Sequence, residues 1–210
     1  VAATVLGDSG IPTRWLPAPA QAFTPAPDAP PHAAWAGVPQ TQDAADTAQT
    51  LADWHPDTVV VDHYAFDARW HQAVRNALGC RLLVIDDTAD RALDADALLD
   101  HNWAPDHRTK YDGRLQRKPL WLCGPRFALL AGAYRGAARY RFHDAVRSVG
   151  IFMGGTDPGG VSARVLAACR STGFAGPVEV VSTSANPQLT ALRDACQRDG
   201  NTTLTLDQPD

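Results

Sequence analysis

The 210-residue sequence has 45% hydrophobic and 20% charged residues, which is typical of a globular protein. Its formal net charge of −4 gives no basic field that would favour nucleic acid or an anionic membrane surface. No apolar run is long enough to cross a bilayer, and the four cysteines lack the close spacing of a zinc or redox site. We therefore predict a cytoplasmic protein with free thiols, with no metal or cofactor, and with neither nucleic acid nor membrane as a partner.

Hydrophobic spacing predicts alternating strands and helices in the first part of the chain. The predicted elements are a strand over 11–16, a Pro- and Ala-rich loop over 17–39, a helix over 41–54, a strand over 59–61, a helix over 68–78, and strands over 82–85 and 97–99. The β-branched run at 59–61 favours a central strand that is covered on both faces. Such short connections between strand, helix and strand predict a parallel βαβ sheet.

A second pattern of the same kind follows a small, basic and aromatic stretch over 131–143. Its predicted elements are strands over 146–153, 178–181 and 202–206, with helices over 163–171 and 187–198 between them. We therefore predict an α/β protein with one domain over 1–130 and the start of a second domain over 145–210. Because the chain opens inside an apolar pattern and closes on a predicted strand, we expect both domains to be incomplete.

Polar residues follow three predicted strands of the first domain: 62–64 after the first, 86–87 after the second and 100–102 after the third. Parallel sheets bind ligands beyond the carboxyl ends of their strands, so this edge is the predicted site. Tyr64 and Asp67 are candidates for hydrogen bonds to sugar hydroxyls or amides. Alternatively, Tyr64 is a packing residue and Asp67 caps the next helix.

Two further features of the first domain allow a functional and a structural interpretation. Asn102 is a candidate for contact with a substrate amide, or a turn residue ahead of Pro105. Asp86 and Asp87 resemble a metal or acid–base pair, but no third ligand has suitable spacing. Hydrogen bonding of one carboxylate across a turn, with Arg91 neutralising the other, explains the pair without a metal.

The loop Gly154, Gly155, Thr156 and Asp157 lies between a predicted strand and a predicted helix of the second domain. Glycines allow a phosphate to approach the backbone closely, so these four residues are candidate substrate contacts. The loop is neither a G-x-G-x-x-G fingerprint nor a P-loop, because no lysine follows.

Five segments together resemble the UDP-sugar hydrolases of pseudaminic acid biosynthesis, which act on UDP-2,4-diacetamido-2,4,6-trideoxy-β-L-altropyranose. The segments are 59–70, 83–91, 98–102, 124–130 and 154–157, in the family's order. The resemblance implies two Rossmann-like domains of the glycosyltransferase GT-B kind, with the site in the cleft between them. It also implies that water displaces UDP from the anomeric carbon with inversion, without a required metal.

The family's proposed base is a histidine in a glycine-rich loop that would precede Val1, so the resemblance assigns no catalytic residue to this chain. Many of the family's nucleotide contacts would follow Asp210, and we expect this fragment to be inactive by itself. Residues 131–134 are less polar than in the family, and Gly150 interrupts a usually aliphatic strand. Two alternatives remain: a GT-B-type glycosyltransferase that uses a nucleotide sugar, and a non-catalytic nucleotide-sugar binding protein.

Overall fold

The computed structural model describes residues 6–7, 9–136 and 141–207. The chain divides into two compact units, Val1–Gly136 and Ala137–Asp210. Each unit contains its own parallel β-sheet with helices, which confirms the predicted α/β class. None of the helices in the described ranges has both the length and the apolar character needed to cross a lipid bilayer.

The first unit is built on a four-stranded parallel sheet in the order β1-β2-β3-β4. Its strands are β1 (Thr58–Val61), β2 (Arg81–Ile85), β3 (Ala97–Asp100) and β4 (Leu120–Cys123). The register pairs Val61 with Val84, Ile85 with Leu99, and Asp100 with Cys123. All four strands therefore end at one edge of the sheet, and the residues that follow them lie along that edge.

In the first unit, the helix over Ala68–Leu78 lies against the sheet, and the helix over Gln40–Leu51 packs against that helix. The α-helices are α1 (Gln40–Leu51), α2 (Ala68–Leu78) and α3 (His107–Lys110), and the 3₁₀ helices are Ala33–Ala36, Ala52–Trp54, Pro125–Phe127 and Gly132–Gly136. The spacing predicts Trp70, Val74 and Leu78 on one face of helix α2; Trp70 and Val74 are buried there, Leu78 is partly buried, and His71 is buried as well. It ends at Gly79, whose φ of 66° is the left-handed conformation that favours glycine.

Two predictions for the first unit are wrong. Residues 11–16 form no strand: Ile11 and Trp15 are exposed, and Arg14 reaches Asp53 at 2.5 Å. Strand β1 lies at an edge of the described sheet rather than in its centre, and Val60 is 58% exposed. An apolar run shows that a strand can be buried, but strand order depends on tertiary pairing that the run itself does not encode.

The second unit is a smaller repetition of the same architecture. Its elements are β5 (Val149–Phe152), α4 (Val161–Ser171), β6 (Val178–Ser182), α5 (Leu189–Asp199) and β7 (Thr202–Leu206), with parallel strands in the order β5-β6-β7. Its core contains Ile151, Leu166, Val180 and Leu192. The first unit has a separate core of buried residues around Leu82, so each unit has its own interior.

Candidate functional site

Two of the predicted contact residues meet at the carboxyl edge of the first sheet. The Tyr64 hydroxyl donates a hydrogen bond of 2.6 Å to Asp87 Oδ1, and Asn102 Nδ2 donates one of 2.8 Å to Asp87 Oδ2. The three residues follow β1, β2 and β3, so the parallel register brings them together. We refer to Tyr64, Asp87 and Asn102 as the carboxylate cluster.

Asp87 retains hydrogen-bonding capacity in this cluster. An ionised carboxylate offers about four lone-pair positions, and these two donors occupy two of them. Asp87 is only half-buried and Asn102 is exposed. The carboxylate can therefore accept further hydrogen bonds from hydroxyl or amide donors of a ligand.

The neighbouring Asp86 has a different environment and a structural role. Its side chain is buried and accepts hydrogen bonds from Arg91 Nη1 at 2.6 Å, Tyr111 Oη at 3.0 Å and the Ala89 N–H at 2.9 Å. We expected one aspartate to bond the backbone and the other to be neutralised by Arg91. In the structure, Asp86 does both. Asp86 fixes the loop that presents Asp87.

Helix α3 supports the cluster from the adjoining loop. Lys110 Nζ donates to the Asp87 carbonyl oxygen and to Asp100 Oδ2, each at 2.7 Å. Asp100 is fully buried at the end of β3, so Lys110 joins the end of β3 to the loop that follows β2. No sequence spacing pointed to Lys110, because its partners are 10 and 23 residues away.

The environment of Tyr64 keeps its hydroxyl protonated. The hydrogen bond to Asp87, together with burial and the negative charge of that carboxylate, raises the pKa of Tyr64 to about 12. Burial and the charges of Asp86 and Asp100 raise the pKa of Tyr111 further. At neutral pH both phenols are therefore hydrogen-bond donors, and neither can act as a general base.

Aromatic rings from the Pro- and Ala-rich segment adjoin Tyr64. The ring centroid of Trp35 lies 6.0 Å from that of Tyr64, and the His32 centroid lies 4.7 Å from Trp35 and 5.7 Å from Tyr64. We refer to His32, Trp35 and Tyr64 as the aromatic wall. The composition of this segment predicts a loop and gives no function to His32 or Trp35.

Asp67 has the geometry of a helix cap. Its carboxylate accepts the Arg69 N–H at 2.8 Å and binds the Arg69 guanidinium at 2.8 Å, while its own N–H donates to Gln40 Oε1. Burial raises its pKa, but the hydrogen bonds from Arg69 outweigh burial and hold the pKa below its usual value. Asp67 is buried at the start of α2 and does not join the carboxylate cluster.

The Gly154–Asp157 loop lies in the second unit, at the start of α4. The Asp157 carboxylate accepts the N–H groups of Val161 at 2.8 Å and Ser162 at 2.9 Å. The Gly155 carbonyl accepts the Thr183 hydroxyl at 2.8 Å, and a Cβ at Gly155 would lie 3.0 Å from the Thr183 methyl carbon. Asp157 thus takes backbone donors of the helix start that a phosphate would otherwise use.

The first unit also contains a cavity of about 400 Å³ beneath the Pro- and Ala-rich segment. Phe23, Pro30, Gln40 and Arg69 contribute to its lining, and Arg69 pairs with Asp28 at 3.2 Å. The lining includes none of the carboxylate cluster. Within the described ranges, no group of three or more His, Cys, Asp or Glu side chains is arranged to hold a metal ion.

Comparison of the sequence with known proteins gives no functional assignment. No protein-family model matches the chain, and no curated protein matches it.

Proposed function

We propose that this protein is a hydrolase that binds a UDP-linked 2,4-diacetamido-2,4,6-trideoxy sugar and converts it to the free sugar and UDP. The carboxylate cluster carries the proposal, because Tyr64 and Asn102 converge on Asp87 and leave it able to accept further hydrogen bonds. A diacetamido sugar offers hydroxyl and amide N–H donors that match this acceptor. The identity of the nucleotide and the sugar comes from the sequence resemblance.

The proposed reaction breaks the bond between the anomeric carbon and the phosphate oxygen, and the electron pair leaves with UDP. A water oxygen forms the new bond from the opposite face, which accounts for inversion, and the proton that this water loses passes to solvent. The carboxylate cluster holds and orients the sugar in this scheme. Tyr64 keeps its proton, in agreement with its raised pKa, and donates a hydrogen bond to Asp87.

The finer architecture is also part of the proposal. The two parallel sheets are proposed to be those of two Rossmann-like domains of the GT-B kind, which handle nucleotide sugars. We propose a cytoplasmic location, where UDP-sugars are made. The four cysteines are free, which agrees with a reducing compartment.

The test is an assay of UDP release from the diacetamido sugar nucleotide by the full reading frame that encodes this sequence. We expect equal amounts of UDP and free sugar without any acceptor, and loss of about 10- to 100-fold in kcat/KM for Asp87→Asn, because a hydrogen bond to a charged group contributes roughly 1.5–3 kcal/mol. Asp53→Asn, which alters an exposed aspartate paired with Arg14, is the matched control and retains activity. Release only in the presence of an acceptor would establish a transferase instead, and binding without release would establish a binding protein.

A further inference from the structure

Trp35 presents a large apolar surface beside a polar cluster. The residue is 63% exposed, although an indole of this size gains more by burial than most side chains. It lies on the 3₁₀ helix Ala33–Ala36, next to the ring of Tyr64, whose hydroxyl binds Asp87. Exposed aromatic surface beside converging polar groups is typical of a ligand site.

Contacts on both sides hold the aromatic wall in place. Asp90 Oδ2 lies 3.2 Å from His32 Nε2, and the His32 ring packs against Trp35 with centroids 4.7 Å apart. The backbone N–H of Trp35 donates to the His32 carbonyl at 2.9 Å. On the other side of the wall, the Arg91 guanidinium lies 5.6 Å from the Tyr64 ring centroid. These contacts fix the orientation of the Trp35 ring and leave one face of it exposed.

The charges around this wall disfavour an anionic group. Asp87 keeps free lone pairs, whereas the nearby cations are already paired: Arg91 binds Asp86, and Lys110 binds Asp100. A ligand that contacts both Asp87 and Trp35 needs hydrogen-bond donors on one side and an apolar C–H face on the other. A neutral pyranose with deoxy or acetamido methyl groups has both properties.

We propose that Trp35, held by His32 and Tyr64, is the stacking face for the sugar and selects pyranoses that carry methyl groups on the face opposite their hydrogen-bond donors. This inference rests on the proposed function for the identity of the sugar nucleotide. It adds to that function a specificity-determining residue and the side of the sugar that the residue contacts. The diphosphate lies away from this negatively charged edge.

Binding of three probes by calorimetry tests the inference: the UDP-2,4-diacetamido-2,4,6-trideoxy sugar, UDP-N-acetylglucosamine and UDP alone. Trp35→Ala should weaken binding of the diacetamido probe at least about tenfold, which corresponds to about 1.4 kcal/mol. It should weaken UDP-N-acetylglucosamine less and leave UDP unchanged. Trp35→Phe, which retains an aromatic face, should bind the diacetamido probe within about threefold of wild type. Trp15→Ala removes another exposed tryptophan, 67% accessible, and is the matched control without effect.

Circular dichroism of each variant shows whether it is folded, and Trp35→Phe provides the comparison if Trp35→Ala is not. The inference is overturned if Trp35→Ala binds the diacetamido probe as wild type does, if it loses UDP equally, or if wild type binds no probe. These outcomes are separate from failure of the proposed function. Wild-type UDP release that is unaffected by Trp35→Ala would leave the hydrolase assignment intact, and Trp35-dependent binding without UDP release would refute only the hydrolysis.

Discussion

Adjacent carboxylates at the end of β2 differ because their neighbours differ. Asp86 is 1% exposed and saturated by donors from Arg91, Tyr111 and the backbone. Asp87, the next residue, binds Tyr64 and Asn102 and remains half-exposed. Two neighbouring aspartates thus differ in role: Asp86 is structural, and Asp87 is accessible to a ligand.

The hydrogen bond between Tyr64 and Asp87 makes a prediction about tyrosine ionisation. Asp87→Asn removes the negative charge that disfavours the phenolate, so the pKa of Tyr64 should fall from about 12 towards its ordinary value of about 10. Ultraviolet titration of the phenolate should show one more tyrosine ionised by about pH 11 in the variant than in wild type. Adding Tyr64→Phe to Asp87→Asn should abolish this extra ionisation. An unchanged titration curve would mean that the two side chains are not hydrogen-bonded in solution.

At the scale of the element, Asp67 was predicted as a ligand contact, whereas its geometry is that of the N-cap of α2. Asp67→Ala removes the acceptor for the Arg69 N–H, so the free energy of unfolding should fall by about 1 kcal/mol. Asp67→Asn, which can still cap α2, should recover most of the loss in urea denaturation. We expect both variants to bind the diacetamido sugar nucleotide with wild-type affinity. Weakened binding by a variant of normal stability would instead establish Asp67 as a ligand contact.

The regular elements could be predicted from the sequence because each carries a local signal. Helix α2 has apolar spacing, Asp67 before it and Gly79 after it, and its predicted bounds match the observed Ala68–Leu78. The short strand β4 was not predicted, although its sequence Leu-Trp-Leu-Cys is apolar. The 3₁₀ helix Ala33–Ala36 was also missed, because Pro and Ala next to it favour a loop by composition alone.

The site could be predicted only in part, because its contacts are long-range. Polar residues after parallel strands indicated Tyr64 and Asn102, but nothing in the sequence showed that both would bind Asp87, 23 and 15 residues away. Trp35 reaches Tyr64 through the packing of an irregular segment, which has no hydrophobic period to read. The sequence places residues at an edge of the sheet, whereas tertiary packing selects their partners.

For the whole molecule, the two units differ in their tryptophan content. Each has a separate hydrophobic core, one around Leu82 and one around Val180. All six tryptophans, at 15, 35, 54, 70, 103 and 121, belong to the first unit. Tryptophan fluorescence therefore follows the first unit, while circular dichroism includes the helices of both.

The buried His71 should make the stability of the first unit depend on pH. Burial lowers the pKa of His71 to about 4, and its Nδ1 accepts the Asp94 N–H at 3.2 Å. In the unfolded chain His71 binds a proton with a pKa near 6.5, whereas in the folded chain it stays neutral until the pH approaches 4. The free energy of unfolding is therefore highest above pH 6.5 and falls as the pH drops towards 4. Between pH 7 and pH 5 this group should lower the free energy of unfolding by about 2 kcal/mol. His71→Gln keeps an acceptor but cannot titrate, so urea denaturation followed by tryptophan fluorescence should show a smaller loss between the two pH values. An equal loss in variant and wild type would show that other groups carry the acid sensitivity, and that His71 is not held neutral by burial.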